Sequence, residues 1–510
     1  MVCFFILLHS AKSPGAAEGY TKPMDKLLLR LRDYRLELIA FGSGAVVMIF
    51  ELVGARMVAP YFGTSLYVWT AIIGVILGAL SVGYWYGGRL ADRGATNEGL
   101  MKIITFAAGC IVLTMFFQEP LLAAIANTFS DSRVSALIAS LILFAPAAVF
   151  LGVVSPYVVR LKLASLKTAG SAVGRLYAAG TFGSIAGTFL AGYWLIALLG
   201  NRQLGLTLVI VLIVLSFVAS RRIWWVQRAV VLSVAISGLF ITPAPLNAYI
   251  VSDTDSAYSR YIVTETSPDG VTKVRAMAVD PFSTQSAAIV GNPDVLFFEY
   301  TQRFMDTVNM IKPENVLVVG GGMFTFPLAV SRAYPESNVT AVEIDPALTP
   351  LAKDYFGLED RRNLNIVNED GRVYLNRAVS NGQFDAVYMD AFSSLTPPYQ
   401  LTTTEAVGRL DAVTADDGII VVNLIATAEK SPYLDAVVAT YRDHFQNVVV
   451  YQLSPSLPRS VSQNLLVVAT DDGNVINHVS DSLELPKLFV DDASPLTDDH
   501  APVEQLINQQ

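Results

Sequence analysis

From Leu36 to about Pro243 one long apolar run follows another, and from Leu246 onward the texture is that of an acidic globular domain. Charged residues make up only 15% of the chain and hydrophobic ones 53%, against about 25% charged in a soluble domain. About 20 consecutive apolar residues cross a bilayer. Inside lipid the backbone satisfies its own hydrogen bonds only as helix or closed barrel. Seven stretches qualify: Leu36–Val58, Tyr67–Tyr86, Met101–Phe117, Val134–Val159, Val173–Leu199, Leu204–Ala219 and Ile223–Ile241. The expectation is an α-helical multi-pass transmembrane bundle, then a small β-domain, then an α/β Rossmann-like domain. Its divisions are 1–35 (N-terminal segment), 36–243 (spans), 244–296 (β-rich) and 297–510 (nucleotide fold).

Basic residues in short loops set orientation. Lys22, Lys26, Arg30, Arg32 and Arg35 precede the first span; Arg89 and Arg93 follow the second. Arg160, Lys162, Lys167 and Arg175 follow the fourth, and Arg221 and Arg222 the sixth. The N-terminus is therefore expected in the cytoplasm. Seven crossings carry the C-terminal domain to the other side, where nucleoside cofactors are scarce. Biochemistry thus favours a cytoplasmic catalytic domain and a miscounted span. The first ten residues, MVCFFILLHS, are too short to span and lack a basic leader; they read as an interfacial stub or a misassigned start, with Met24 as an alternative.

Within the first span stand Glu51 and Arg56: a structural pair, an Arg56 that snorkels to the interface near Pro60, or part of a substrate or proton path. Gly174, Gly180, Gly183, Gly187 and Gly192 mark the fifth as a close-packing helix. Two cysteines, Cys3 and Cys110, and four scattered histidines point to neither a disulfide framework nor a metal site. A formal charge of -9 without a basic block outside the span loops argues against nucleic acid as a partner.

In the polar half, Val316 to Gly322 read VLVVGGG, and Val342-Glu343-Ile344-Asp345-Pro346 follows about twenty residues on. The first is a buried parallel strand ending in a glycine turn; the second ends on acids. Ligands of doubly wound sheets bind beyond the carboxyl ends of strands, where such an acid meets ribose hydroxyls. Gly320, Gly321 and Gly322 would bring backbone to the ligand. Glu343 offers two oxygens to the ribose; Asp345 shares its face if the strand continues, but Pro346 favours a turn there and leaves its direction open. Asn368-Glu369-Asp370-Gly371 closes the next strand and supplies Asp370 and Gly371 for the adenine; Asp390 ends Phe384-Asp-Ala-Val-Tyr-Met-Asp, at the reacting centre. The bland readings are a turn for the glycines, helix caps for Asp345 and Asp370, and a turn or solvated residue for Asp385. The ordered set on successive strand ends favours a nucleoside cofactor. Further strands are expected at Leu364–Val367, Ala386–Met389, Ile419–Leu424, Val448–Tyr451 and Asn464–Ala469, and helices at Phe297–Val308, Phe326–Ala333 and Thr404–Val413, making a parallel sheet. A hairpin is expected around Pro268-Asp269-Gly270.

Two stretches, Phe50 to Arg93 and Gly174 to Gly200, resemble bacterial membrane proteins fused to a spermidine synthase domain. The order glycine turn, Glu-x-Asp, Asp-Gly and strand-end acid resembles spermidine synthases, as do Thr402-Thr403-Thr404-Glu405 and Asp498 to Glu504. The resemblance implies a multi-pass protein of the bacterial inner membrane that uses decarboxylated S-adenosylmethionine, or S-adenosylmethionine, without metal. It makes Asp390 the acid that deprotonates the attacking amine, with Tyr388 or Glu299 supporting, and Gln285 a cofactor-side residue. The departures fall on the amine side. Met323 stands where the family has aspartate, Phe297-Phe298-Glu299 replaces Tyr-His-Glu, and Asp390-Ala391-Phe392-Ser393 replaces Asp-x-x-Asp. A diamine needs several acceptors to replace its hydration shell, so putrescine is disfavoured.

The expected reaction is attack of an amine, or a lipid-linked acceptor, on a carbon beside the sulfonium, releasing methylthioadenosine at the membrane, with a homo-oligomer possible. The alternatives are an S-adenosylmethionine-dependent methyltransferase and a non-catalytic transporter that senses polyamine or nucleoside.

Overall fold

The computed structural model describes residues 34–507 and 509, apart from 64, 130, 164–168, 222–223, 239–248, 268, 280–283, 379–383 and 392–397. The first ten residues, the ends of the seventh expected span, Pro268, Phe392 and Ser393 lie outside the described residues.

The apolar half is helical: α1 (Arg35–Phe62), α2 (Leu66–Asp92), α3 (Asn97–Thr128), α4 (Ser132–Leu143), α5 (Ala145–Lys162), α6 (Ala169–Leu190), α7 (Asn201–Ala219) and α8 (Trp225–Ser237). Helices α1, α2, α3, α5 and α7 are long and apolar enough to cross a membrane. The third expected span is longer than its apolar run, because the helix continues through Glu119 and Pro120. The fourth is two helices broken at Phe144: Pro146 has no N–H to give to the carbonyl four residues back. Helix α6 continues through a π-turn, Ala191–Leu195, to Leu198.

Contacts fix the direction of each helix. Helix α6 runs alongside α1 in the same sense: Gly183 sits on the Phe41 backbone, Gly187 on Ala45, and the Arg56 guanidinium donates to the Ile196 carbonyl at 2.7 Å. A Cβ at Gly187 would lie 2.7 Å from Ala45 Cα, so small residues are what let these backbones meet. Helices α4 and α5 form one broken pass in the sense of α2, with Arg133 over Tyr67 and Gly152 against Gly83. Helix α7 runs against α3, joining Arg202 to Glu119 at 3.1 Å. Lys102 lies 5.3 Å from the Trp224 ring, which puts the start of α8 beside the start of α3. Among the described residues the bundle therefore makes seven alternating passes. One end gathers the starts of α1 and α3, tied by Arg35 to Asn97 at 3.1 Å, and the end of α5, where Lys162 meets Glu37.

The polar half opens with an antiparallel meander, β1 (Tyr249–Asp255), β2 (Arg260–Thr266), β3 (Val274–Ala278), β4 (Thr284–Ile289) and β5 (Asn292–Leu296). The expected hairpin is its β2–β3 pair. Then follow α9 (Glu299–Ile311), β6 (Asn315–Val319), α10 (Thr325–Ala333), β7 (Asn338–Glu343), α11 (Leu348–Tyr355), β8 (Leu364–Asn368), α12 (Gly371–Ala378) and β9 (Phe384–Met389). The chain closes with α13 (Thr404–Val413), β10 (Thr414–Ala426), α14 (Pro432–Arg442), β11 (Asn447–Gln452), β12 (Gln463–Thr470), α15 (Gly473–Leu483), β13 (Lys487–Leu488) and α16 (Val503–Ile507).

The eight-stranded sheet has the order β13-β11-β12-β10-β9-β6-β7-β8. Strands β6 to β10 are parallel, as expected, but β12 runs antiparallel to both β10 and β11. The link from β11 to β12 holds no helix, and a short link returns a strand antiparallel, because a parallel neighbour needs a crossover. Strand order reverses between β6 and β9. That switch point is where such sheets bind ligands.

The two halves meet at the bundle end opposite to Arg35. Asp255, which closes β1, takes the Arg56 guanidinium at 2.9 Å; Arg260 of β2 reaches Glu119 at 3.1 Å; Glu504 of α16 accepts the Leu66 N–H at 3.0 Å. Glu51 and Arg56 do not pair with each other.

Candidate active site

Strand β6 is buried on both faces and runs into the glycine turn. Gly320 has φ +97°, and a Cβ there would collide with the Asp390 carbonyl and stand 2.7 Å from the Ala391 nitrogen. This turn admits only glycine, because the end of β9 crosses directly over it. Gly320→Ala is expected to cost about 1–3 kcal/mol of stability, the range for overpacked sites, and to abolish nucleoside binding. Unfolding and calorimetric titration of the variant measure both.

Glu343 ends β7 beside that turn. One carboxylate oxygen accepts the Gly321 and Gly322 N–H groups at 2.9 and 3.0 Å, and the other accepts the Asp345 N–H at 3.0 Å. Burial pushes this carboxyl above the ordinary range, while the backbone donors oppose the rise. Ser286, on β4, accepts the Met323 N–H at 3.2 Å and seals the turn from the meander side; Gln285 is its neighbour on that strand.

Asp345 does not join the ligand side. It is 1% exposed, and one oxygen accepts the Ser256 and Tyr261 hydroxyls (2.7 Å for Tyr261) while the other takes the Ala347 N–H at 2.9 Å. Pro346 turns the chain, so the acid clamps the meander to the sheet. Asp370 caps α12 through the N–H groups of Arg372 and Val373, at 2.9 and 3.1 Å. Gly371 packs on Val319, where a Cβ would stand 2.8 Å from its methyl. Both belong to the rim of the same strand ends. Asp385 accepts the Glu314 and Asn315 N–H groups at 2.8 Å, a turn role.

Asp390 follows β9, its N–H bonded to the Val319 carbonyl at 2.8 Å. Its carboxylate accepts the Tyr300 hydroxyl and the Asn423 amide, each at 3.0 Å, and Asn464 holds Asn423 at 2.8 Å. Burial pushes the carboxyl up to about 7; the Asn423 and Tyr300 hydrogen bonds pull it back, and the charge of Glu343 adds to the rise. Burial, then the nearby Asp390 charge, holds the Tyr300 hydroxyl well above its usual range, so it stays a donor.

The expected supporters of Asp390 are elsewhere. Tyr388 is fully buried among Phe304 and Phe326, its hydroxyl 2.8 Å from Thr307. It belongs to the core beneath α9, because the strand holds it two residues before the chain turns out at Asp390. Glu299 is exposed at the start of α9 and accepts from Ser454 at 3.1 Å. Tyr300, the next residue, is the one on this helix that donates to Asp390. An aromatic wall continues outward from Tyr300, with Phe298 stacked at 5.7 Å and Phe297 against Phe298 at 5.5 Å. Among the described residues no group of three or more His, Cys, Asp or Glu side chains could hold a metal ion.

Residues 298–474 match the family model described as the Spermine/spermidine synthase domain. Within the C-terminal half, this matched stretch is thus similar to spermine/spermidine synthase domains. The polyamine aminopropyltransferase of Vibrio vulnificus (strain CMCP6) is 36% identical over 135 residues, covering 26% of this chain and 44% of that protein. The eEF1A lysine and N-terminal methyltransferase homolog of Drosophila melanogaster is 30% identical over 126 residues, 23% of this chain and 18% of that one. The matches span less than half the length of these curated relatives. Among solved structures, a probable spermidine synthase from Corynebacterium glutamicum ATCC 13032 aligns with a TM-score of 0.42 at 19% identity, covering 50% of this chain and 97% of that chain.

Proposed function

We propose that the protein is a membrane-bound transferase that moves the aminopropyl group of decarboxylated S-adenosylmethionine to an amine, releasing methylthioadenosine. The observation that carries this reading is the Asp390 carboxyl at the switch point, held by Tyr300 and Asn423 and pushed up to about 7 by burial against the pull of those two bonds. A catalytic base works best with its pKa near the working pH.

The donor's sulfonium supplies its own leaving group, so the protein orients and deprotonates. Gly320 to Gly322 and Glu343 fit the ribose and the chain attached to it: the Gly321 and Gly322 N–H groups hold one Glu343 oxygen in place, and Gly320 leaves the backbone bare. Asp370, whose Oδ1 caps the following helix, is assigned to the adenine amino group through its other oxygen. At Asp390 the amine gives up its proton, the nitrogen lone pair forms the new N–C bond, and the S–C electron pair leaves with the thioether. Phe297 and Phe298 wall the acceptor side with rings rather than carboxylates. This favours an amine with an apolar body, including a lipid-linked one, over a diammonium.

Membrane attachment is supported by the five helices of spanning length and by large apolar side chains facing outward, among them Trp85, Phe182 and Tyr193. A methyltransferase is the second reading, favoured by the similarity to a methyltransferase over 126 residues of this chain. Detergent-solubilised protein incubated with either donor and a membrane extract, followed by mass spectrometry of the released nucleoside, decides. Methylthioadenosine is expected. S-adenosylhomocysteine means methyl transfer, and unchanged donor after long incubation leaves a sensor.

A further inference from the structure

We infer that the transferase domain stands on the extracytoplasmic side of the membrane, with its ligand-binding strand ends tied to that surface of the bundle. The inference rests on reading the helices as membrane spans.

Two independent observations meet here. First, helix directions give seven passes, so the chain leaves the bundle at the end opposite to Arg35. Among the described residues, side-chain ties between the halves lie at that end: Arg56 to Asp255, Glu119 to Arg260, and the Leu66 N–H to Glu504. Second, basic side chains are divided between the two ends. Arg89, Arg93, Arg160, Lys162, Arg175 and Arg221 lie at the ends or starts of helices on the Arg35 side. At the domain side stand Arg56, Arg133 and Arg202. The first and last are bound by acids at 2.9 and 3.1 Å, and Arg133 lies over the Tyr67 ring at 4.5 Å. An excess of lysine and arginine in short loops marks the cytoplasmic face. The docked domain is on the other one.

The docking also sets which edge of the sheet is near the lipid. Asp345, just beyond β7, is bonded to Ser256, and the preceding residue Asp255 is bonded to Arg56. Arg372, just beyond β8, holds Asp498 at 2.7 Å, on the same terminal segment whose Glu504 touches the bundle. The carboxyl ends of β7 and β8 are therefore anchored to the bundle, and an acceptor amine at the outer leaflet lies on the side where Asp390 works. A donor made in the cytoplasm has to cross the bilayer to reach it.

Single-cysteine labelling of the full chain tests this, in a background with Cys3 and Cys110 replaced by serine. Val271→Cys reports the β2–β3 turn, which is 85% exposed, and Asp92→Cys reports the exposed end of α2. Intact bacterial cells expressing each variant are treated with a membrane-impermeant maleimide before and after permeabilisation. Val271→Cys is expected to react in intact cells, and Asp92→Cys only after permeabilisation. The reverse pattern overturns the inference, and so does equal labelling of both sites in intact cells, because it puts them on one side. Alkaline carbonate extraction separates the underlying assumption: protein released from the membrane fraction removes the spanning helices themselves, whatever the labelling.

Discussion

Asp390→Asn is expected to lower turnover by roughly 10²–10⁴-fold, the usual contribution of a positioned base, while nucleoside binding is retained. It is also expected to make the protein more stable at pH 8. The folded carboxyl sits at about 7, above the ordinary value near 3.9. Between those values the folded chain holds a proton that the unfolded chain releases. Stability associated with Asp390 is therefore complete below about pH 4 and is lost as pH rises through 7. Three units correspond to about 4 kcal/mol as an upper bound. Asparagine carries no charge to desolvate and still offers an oxygen to Tyr300 or Asn423. Unfolding curves of the two proteins should separate at pH 8 and converge near pH 4. A variant that is inactive and less stable at pH 8 would mean the residue is structural and leave the base unassigned.

The pH profile supplies the second large effect. Activity, read as kcat/KM, is expected to fall as pH drops through about 7, as Asp390 takes up the proton it must accept from the amine. Tyr300→Phe removes a hydrogen bond that favours the ionised carboxylate, so the acid limb moves to higher pH. A bond to a charged group is worth about 1.5–3 kcal/mol, a shift on the order of one unit. Asn423→Leu moves it in the same direction. A limb that stays fixed in both variants, or shifts downward, sinks the assignment of these residues as the partners that tune Asp390.

The backbone frame of the site was legible in the sequence because it is local. A buried apolar run cannot enter three glycines without turning, and VLVVGGG turns where the structure turns. Glu343, Asp370 and Asp390 were legible for the same reason, each standing at the end of its own apolar strand. What the sequence hid is whatever depends on other elements. Tyr300 and Asn423 reach Asp390 from 90 and 33 positions away, and nothing in the immediate pattern marks them. Tyr388 looked close because it is two positions from Asp390, yet the turn after Met389 separates them. Asp345 stood open between a shared face with Glu343 and a turn at Pro346; the turn prevails, and what the sequence hid is that Ser256 and Tyr261 claim the carboxylate. The break at Phe144 did have a local sign in Pro146, masked by the unbroken apolarity around it.

Arg56, Asp255, Ser256, Asp345 and Glu343 are joined in series, from helix α1 to the acid beside the glycine turn. Such a series acts as a drawbar: it transmits displacement rather than chemistry. If α1 has two settings that differ at Arg56, the nucleoside will bind them unequally, and reciprocity then requires bound nucleoside to favour one setting by the same factor. Loading the soluble domain and repositioning the bundle become one thermodynamic event, observable as a donor-dependent change in the packing of α1 against α6.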